Sequence, residues 1–185
     1  MSTPGKLLYA QRRLIAGDHQ SLRSHMPEVN HNMPDLQIKW HKLGKASISL
    51  LERGEYRHVR DSSRGVLDDT NVTRLADTLN KGVVPRSPTE SKTLTIPVIG
   101  VDFLGTRDIV DIVYLLEEDE IEAERNRTTR LIGNMIEDNI FWKDFTPHVS
   151  VATIDRASRD DGVLEAFGKF QPDSLRFEPV KFNAE

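Results

Sequence analysis

Two runs rich in β-branched and other apolar residues, 94–103 and 108–116, flank a glycine-containing turn at 105–107. Strands joined by a short loop of this kind usually pair as an antiparallel hairpin. Apolar residues at helical spacing follow at 117–139, and a clear strand pattern lies at 145–154. This half of the chain is therefore predicted to form a hairpin, a helix and a further strand.

The rest of the chain also alternates between strand and helix patterns. We predict three more strands, at residues 7–10, 36–51 and 175–182, and two more helices, at 68–82 and 163–170. The second of these runs of extended chain has Ile38 and Trp40 before Gly44 and an alternating segment after it. Residues 18–34 are predicted as loop or short helix, and the charged residues 52–69 as a loop.

Length and composition exclude several classes of protein. A chain of 185 residues predicts one domain, spanning residues 1–185. With 25 Lys plus Arg against 29 Asp plus Glu, the overall charge gives no argument for a nucleic-acid or membrane surface as partner. The sequence has no cysteine, which excludes disulfides, thiol catalysis and cysteine-ligated metals. No apolar run approaches the roughly 20 residues that span a bilayer, so we expect a cytoplasmic monomer without a membrane partner.

The segment FTPHVSVA, residues 145–152, carries the clearest chemical signal. Because side chains alternate along a strand, His148 and Ser150 are predicted to project from the same face. A hydroxyl can donate to a phosphate oxygen, and an imidazole can move a proton to or from a reacting oxygen near neutral pH. Spacing alone, however, favours the alternative of a structural histidine bonded to a backbone carbonyl.

The order of elements gives this segment a wider context. The runs VIGVDFLG at 98–105, IVDIVYLL at 109–116, a helix and then FTPHVSVA resemble the second half of the two-histidine (2H) phosphoesterase superfamily. Its LigT-like members are called 2′-5′ RNA ligases and cyclic phosphodiesterases. The strand predicted at 175–182 fits the closing strand of that family.

The resemblance implies a bilobal α+β fold, in which two antiparallel-rich sheets flanked by helices surround a central cleft. In this family one His-x-Ser/Thr motif from each lobe faces the cleft. The resemblance further implies an acid–base mechanism without metal or cofactor, acting on RNA ends or on small cyclic and oligonucleotide phosphodiesters. It makes His148 and Ser150 the catalytic residues of the second motif.

The first motif departs from the family pattern. By position and alternation it belongs in residues 45–51, where Ser49 matches the family's Ser/Thr and Ser47 occupies the place of the histidine. Lys45, Ser47 and Ser49 share one strand face, so we predict that they bind the phosphate. Serine does not titrate near neutral pH, so one half of the acid–base pair is missing from this alignment.

Three explanations for the missing group stay open. Lys45 could replace it, whereas His41, six residues before Ser47, would lie roughly 20 Å away on a continuous strand and is a poor substitute. His58 could fold over the cleft from the loop predicted at 52–69 and bind substrate there. The protein could instead bind a nucleotide or RNA end without turning it over.

Two other clusters have weaker claims. His19, His25 and His31 recur every six residues, which matches no zinc pattern, so we interpret them as part of a solvated loop. A basic cluster follows the first motif and either lines a phosphate-bearing channel or forms an exposed loop; it consists of Arg53, Arg57, His58, Arg60 and Arg64.

Overall fold

The computed structural model describes residues 5–42, 46–62, 68–81, 92–105, 107–133 and 145–185. In chain order the elements are β1 (Leu8–Arg13), α1 (Ala16–Ser24), α2 (Met26–Asn32), β2 (Lys39–Trp40), β3 (Ser47–Leu51), α3 (Arg53–Ser62), α4 (Asp69–Lys81), β4 (Leu94–Leu104), β5 (Ile109–Leu116), α5 (Asp119–Gly133), β6 (His148–Asp155), α6 (Asp161–Gly168), β7 (Ser174–Phe177) and β8 (Lys181–Ala184).

The strands form two sheets. The smaller sheet has the order β3-β1-β8 and the larger one the order β2-β6-β5-β4-β7. All the strand pairs in the described parts of the chain are antiparallel. Helix α4 packs on β1 and β8, α5 packs on β3, and α6 packs on β4. The expected α+β fold with two antiparallel sheets flanked by helices is therefore confirmed.

The predicted hairpin and the helices predicted at 68–82 and 117–139 form as expected. Strands β4 and β5 pair antiparallel, and Gly105 at their turn has φ 121°, a left-handed conformation that glycine adopts without steric cost. Helix α4 is capped by the carboxylate of Asp68, whose Oδ1 accepts from the Asn71 amide at 2.8 Å. Helix α5 ends at Gly133, and residues 134–139 of its predicted range lie outside the described residues.

Two sequence predictions are wrong about continuity. The strand predicted at 175–182 is two strands, because β7 pairs with β4 in the larger sheet and β8 pairs with β1 in the smaller one. Pro179 lies between them and has no N–H to donate to a ladder. The strand predicted at 36–51 is likewise two strands, β2 and β3, in different sheets.

A predicted loop and a segment predicted as loop or short helix both contain helices. Residues 53–62 form α3, which buries Glu55 and Tyr56. The segment 18–34, predicted as loop or short helix, is largely covered by α1 and α2. His19, His25 and His31 therefore lie on or between helices, and the imidazole of His25 stacks on Phe170 at 4.6 Å between ring centroids.

Two buried ion pairs attach α5 to the smaller sheet and to α3. Arg12 on β1 donates through Nε to Glu124 at 2.8 Å, and both side chains are fully buried. Arg125 donates to Glu55 and, at 2.8 Å, to the carbonyl oxygen of Leu50 on β3. A buried guanidinium is stable only when its donors are satisfied, so these contacts set where α5 and β3 lie.

None of the helices in the described part of the chain combines the length and apolar character needed to cross a membrane.

Candidate functional site

A cleft of about 690 Å³ lies where β3 of the smaller sheet approaches β2, β5 and β6 of the larger one. Its polar and charged lining comes from both sheets and consists of Lys39, His41, Lys42, Ser47, Ser49, Glu52, Asp111, His148, Ser150 and Thr153. Trp40 and Ile109 add apolar surface. The space is within the range of small-molecule sites.

His148 opens β6 directly after the buried Pro147 and is half-buried at the cleft. Its Nδ1 lies 2.7 Å from the carbonyl oxygen of Thr146. A carbonyl oxygen can only accept, so Nδ1 carries the proton and the neutral ring keeps its lone pair on Nε2. The imidazole is thus in the tautomer in which Nε2 is a base.

Ser150 lies two residues along β6 and lines the same cleft. Its hydroxyl donates to Oδ2 of Asp111 at 3.4 Å. Asp111 belongs to the neighbouring strand β5, whose other residues are apolar or aromatic. The carboxylate is half-buried and lines the cleft.

Ser47 and Ser49 contribute the surface of the smaller sheet. They alternate along β3 with the buried Ile48 and Leu50, so both hydroxyl-bearing side chains take the face that lines the cleft. The cleft thus brings together four of the predicted site residues: Ser47, Ser49, His148 and Ser150. Of the other two, Lys45 lies outside the described residues, and His58 lies elsewhere.

His58 takes a different position from the one expected. It is exposed on α3, and it does not line the cleft. Of the basic cluster, Arg57 and Arg60 are also on α3 and away from the cleft lining, and Arg60 contacts Asp61. The side chain of Arg53 and all of Arg64 lie outside the described residues.

His41 lines the cleft although the sequence argument rejected it. The distance of roughly 20 Å holds only on one continuous strand. In the structure β2 pairs with β6, the strand that carries His148. The backbone amide of His41 donates to the Val151 carbonyl at 3.0 Å, and its Nε2 lies 3.4 Å from Oδ1 of Asp111. The glycine at position 44 in the sequence was the available sign that residues on its two sides need not share a strand.

The sequence did not predict four other residues that line the cleft: Asp111, Lys39, Lys42 and Glu52. A lone acid inside the apolar run 109–116 is the signal that could have revealed Asp111. The two lysines bring cationic charge to the cleft, and the two acids offset it. Across the described residues, no group of three or more His, Asp or Glu side chains is arranged to hold a metal ion.

Comparison with known proteins gives distant structural matches. No protein-family model matches the chain, and no curated protein matches it significantly. Among solved structures, the chain is similar to Usb1 from Kluyveromyces marxianus with uridine monophosphate, at 13% identity and a TM-score of 0.47. A second Usb1 structure from that organism matches at 12% identity and a TM-score of 0.49.

Each match covers 96% of this chain and 92% of the Usb1 chain. At such low identity a likeness of this kind does not determine the chemistry of a site. The side chains of the cleft are what bear on its chemistry.

Proposed function

We propose that the protein is a single-domain, metal-independent phosphoesterase that acts on phosphodiesters at RNA ends or in small cyclic and 2′-5′-linked nucleotides. The observation that carries the proposal is that Ser47 and Ser49 line the same cleft as His148 and Ser150. Hydroxyl donors from two sheets can bind the non-bridging oxygens of one phosphate, while the imidazole moves a proton.

His148 is the general base in this proposal. Its Nδ1 proton is directed to the Thr146 carbonyl, so Nε2 is the nitrogen that accepts a proton from the attacking group. A positioned base of this kind contributes about 10²- to 10⁴-fold to a rate.

The charge of the cleft suits a single phosphodiester. Lys39 and Lys42 supply cationic charge, and Ser47, Ser49 and Ser150 supply hydroxyls. Trp40 and Ile109 provide apolar surface against which a base or sugar can pack. A volume of about 690 Å³ fits a nucleotide-sized group rather than a length of duplex.

A second candidate function is binding without turnover. Ser47 supports it, because the position where the family's first histidine belongs holds a side chain that does not titrate near neutral pH. A protein of this kind would hold a nucleotide or RNA end in the same cleft.

Incubation with 2′,3′-cyclic nucleotides and with 2′-5′-linked oligonucleotides, in the presence of EDTA, separates the two functions. The phosphoesterase proposal expects wild-type turnover that His148→Ala abolishes and that His31→Gln, an exposed substitution on α2, leaves unchanged. If wild type and His148→Ala both show background turnover while both bind the nucleotides, the protein is a binding protein and the enzyme proposal fails.

A further inference from the structure

We propose that His41, paired with Asp111, is the second acid–base group of the cleft and supplies the proton that the first motif, with Ser47 in place of histidine, cannot. This inference rests on the proposed phosphoesterase function. It assigns His148 the role of base and His41 the role of acid.

The position of His41 is determined by the larger sheet. Its backbone amide donates to Val151 on β6, so the residue lies beside the strand that carries His148 and Ser150. Its Nε2 is shielded from solvent and faces Oδ1 of Asp111 at 3.4 Å, while 40% of the side chain stays exposed. The approach of Nε2 to the carboxylate is an ion-pair contact and not a hydrogen bond, and Nδ1 is the ring nitrogen left to meet a ligand.

Asp111 connects the two halves of this arrangement. Its Oδ1 faces His41 and its Oδ2 accepts from the Ser150 hydroxyl at 3.4 Å. To bind a phosphate, the single Ser150 proton must turn from Asp111 to the phosphate oxygen. The carboxylate then beside the phosphate would repel an anionic phosphodiester unless a cation offset it. A protonated His41 is that cation, and a carboxylate that orients an imidazole in this way is a recurring device of acid–base sites.

The two imidazoles flank Ser150. His148 is two residues from Ser150 on one strand face, about 7 Å away by strand rise, and His41 reaches Ser150 through Asp111. A phosphate held at the Ser150 hydroxyl therefore shares the cleft with an imidazole on the same strand and with one paired with a carboxylate. The proposal assigns the first imidazole the role of base and the second, in its protonated form, the role of acid.

The reaction on a 2′,3′-cyclic phosphodiester balances with these two groups. The oxygen of a water molecule bonds to phosphorus as one proton of that water passes to Nε2 of His148. The bond from phosphorus to one ribose oxygen breaks, and that oxygen takes the proton from Nδ1 of His41. The product is a phosphomonoester, and proton exchange with solvent returns both imidazoles to their starting states.

The test measures kcat and KM for a 2′,3′-cyclic nucleotide against pH, in EDTA, for wild type, His41→Gln and Asp111→Asn. His31→Gln is the matched control, because it makes the same substitution on an exposed helix away from the cleft. The other titratable side chains that line the cleft and contribute to the profile are Lys39, Lys42, Glu52 and His148.

We expect His41→Gln to lower kcat by about 10²- to 10⁴-fold and to remove the alkaline limb of a bell-shaped profile. KM should rise as well, because Asp111 then lacks the cation that offsets its repulsion of the phosphodiester. Loss of the acid leaves the limb that reports the base. Asp111→Asn, which keeps the shape of the side chain, should give a smaller fall in kcat and move the alkaline limb to lower pH. A side chain that was merely structural would leave the shape of the profile unchanged.

The inference is overturned if His41→Gln keeps kcat within about threefold of wild type with both limbs present. If that variant loses its cooperative thermal transition, Asp111→Asn decides, and an unmoved alkaline limb overturns the inference. Failure of the proposed function has a different signature, since wild type would then show no turnover above His148→Ala.

Discussion

The Nδ1 atom of His148 lies 2.7 Å from the carbonyl oxygen of Thr146, two residues earlier in the chain. This contact is consistent with a structural role for His148 and with a catalytic one. It is the backbone bond of a structural strand-end histidine, and it also sets the tautomer that leaves Nε2 as a base in the cleft. Substitution can separate the two roles, because they need different nitrogens.

His148→Asn is expected to abolish turnover while preserving the fold. The amide of asparagine can donate near the Thr146 carbonyl, as Nδ1 does, but asparagine has no titratable nitrogen in the place of Nε2. We predict a fall in kcat/KM of about 10²- to 10⁴-fold and a free energy of unfolding within about 1 kcal/mol of wild type. Steady-state kinetics and urea denaturation check both. Retained activity would mean that the histidine is structural.

Lys39→Gln combined with Lys42→Gln is expected to weaken substrate binding without slowing chemistry. Both lysines are exposed at the cleft, so each contributes a modest attraction that salt screens. We predict that KM rises about threefold to tenfold, that kcat is unchanged and that KM becomes less dependent on salt. Lys169→Gln, at an exposed position outside the cleft lining, is the control. An equal effect of the control would remove the argument that cleft charge binds phosphate.

Arg12→Met is expected to destabilise the protein by about 3 to 5 kcal/mol, because it leaves the fully buried Glu124 without its partner. It also removes donors to the carbonyl oxygens of Lys92, at 2.8 Å, and Glu178, at 2.9 Å. The neighbouring Arg13 is exposed, so Arg13→Met should cost little. Denaturant unfolding of both variants measures the difference, and a cost below about 1 kcal/mol for Arg12→Met would contradict it.

Stability at alkaline pH should depend on Tyr114. Burial raises the pKa of its phenol from 10.0 to about 12, and the hydroxyl donates to the Phe167 carbonyl at 3.3 Å. The folded state therefore favours the neutral form, so this contribution is fully present below pH 10 and is lost as pH rises towards 12. We predict that the unfolding free energy of wild type falls in this window by up to about 2 to 3 kcal/mol more than that of Tyr114→Phe. Parallel curves for the two proteins would contradict the prediction.

Local patterns in the sequence predicted much of the fold, but not which residues pair across it. The hairpin of β4 and β5 and the capped α4 follow from periodicity and turn chemistry alone. The same periodicity continues through residues 36–51 and 175–182, where the chain in fact passes from one sheet to the other. The charged residues of α3 favour a loop, because nothing local in the sequence shows that Glu55 is buried in a tertiary ion pair with Arg125.

The residues of the candidate site also fall into those that local patterns predict and those that they do not. His148 and Ser150 could be placed on one face because strand alternation is local, and Ser47 and Ser49 by the same rule. His41 could not be placed, because its position depends on a two-residue strand that pairs with β6 more than one hundred residues later. Distances along the chain, such as the roughly 20 Å assigned to His41, apply only while one strand continues.

The central claim is tested most directly by ³¹P NMR of a 2′,3′-cyclic nucleotide incubated in EDTA with wild type, His148→Ala and His31→Gln. The account predicts that wild type and His31→Gln convert the cyclic phosphate to a phosphomonoester and that His148→Ala leaves it at the uncatalysed rate. Conversion by wild type no faster than by His148→Ala, with the nucleotide still bound by both, would contradict it.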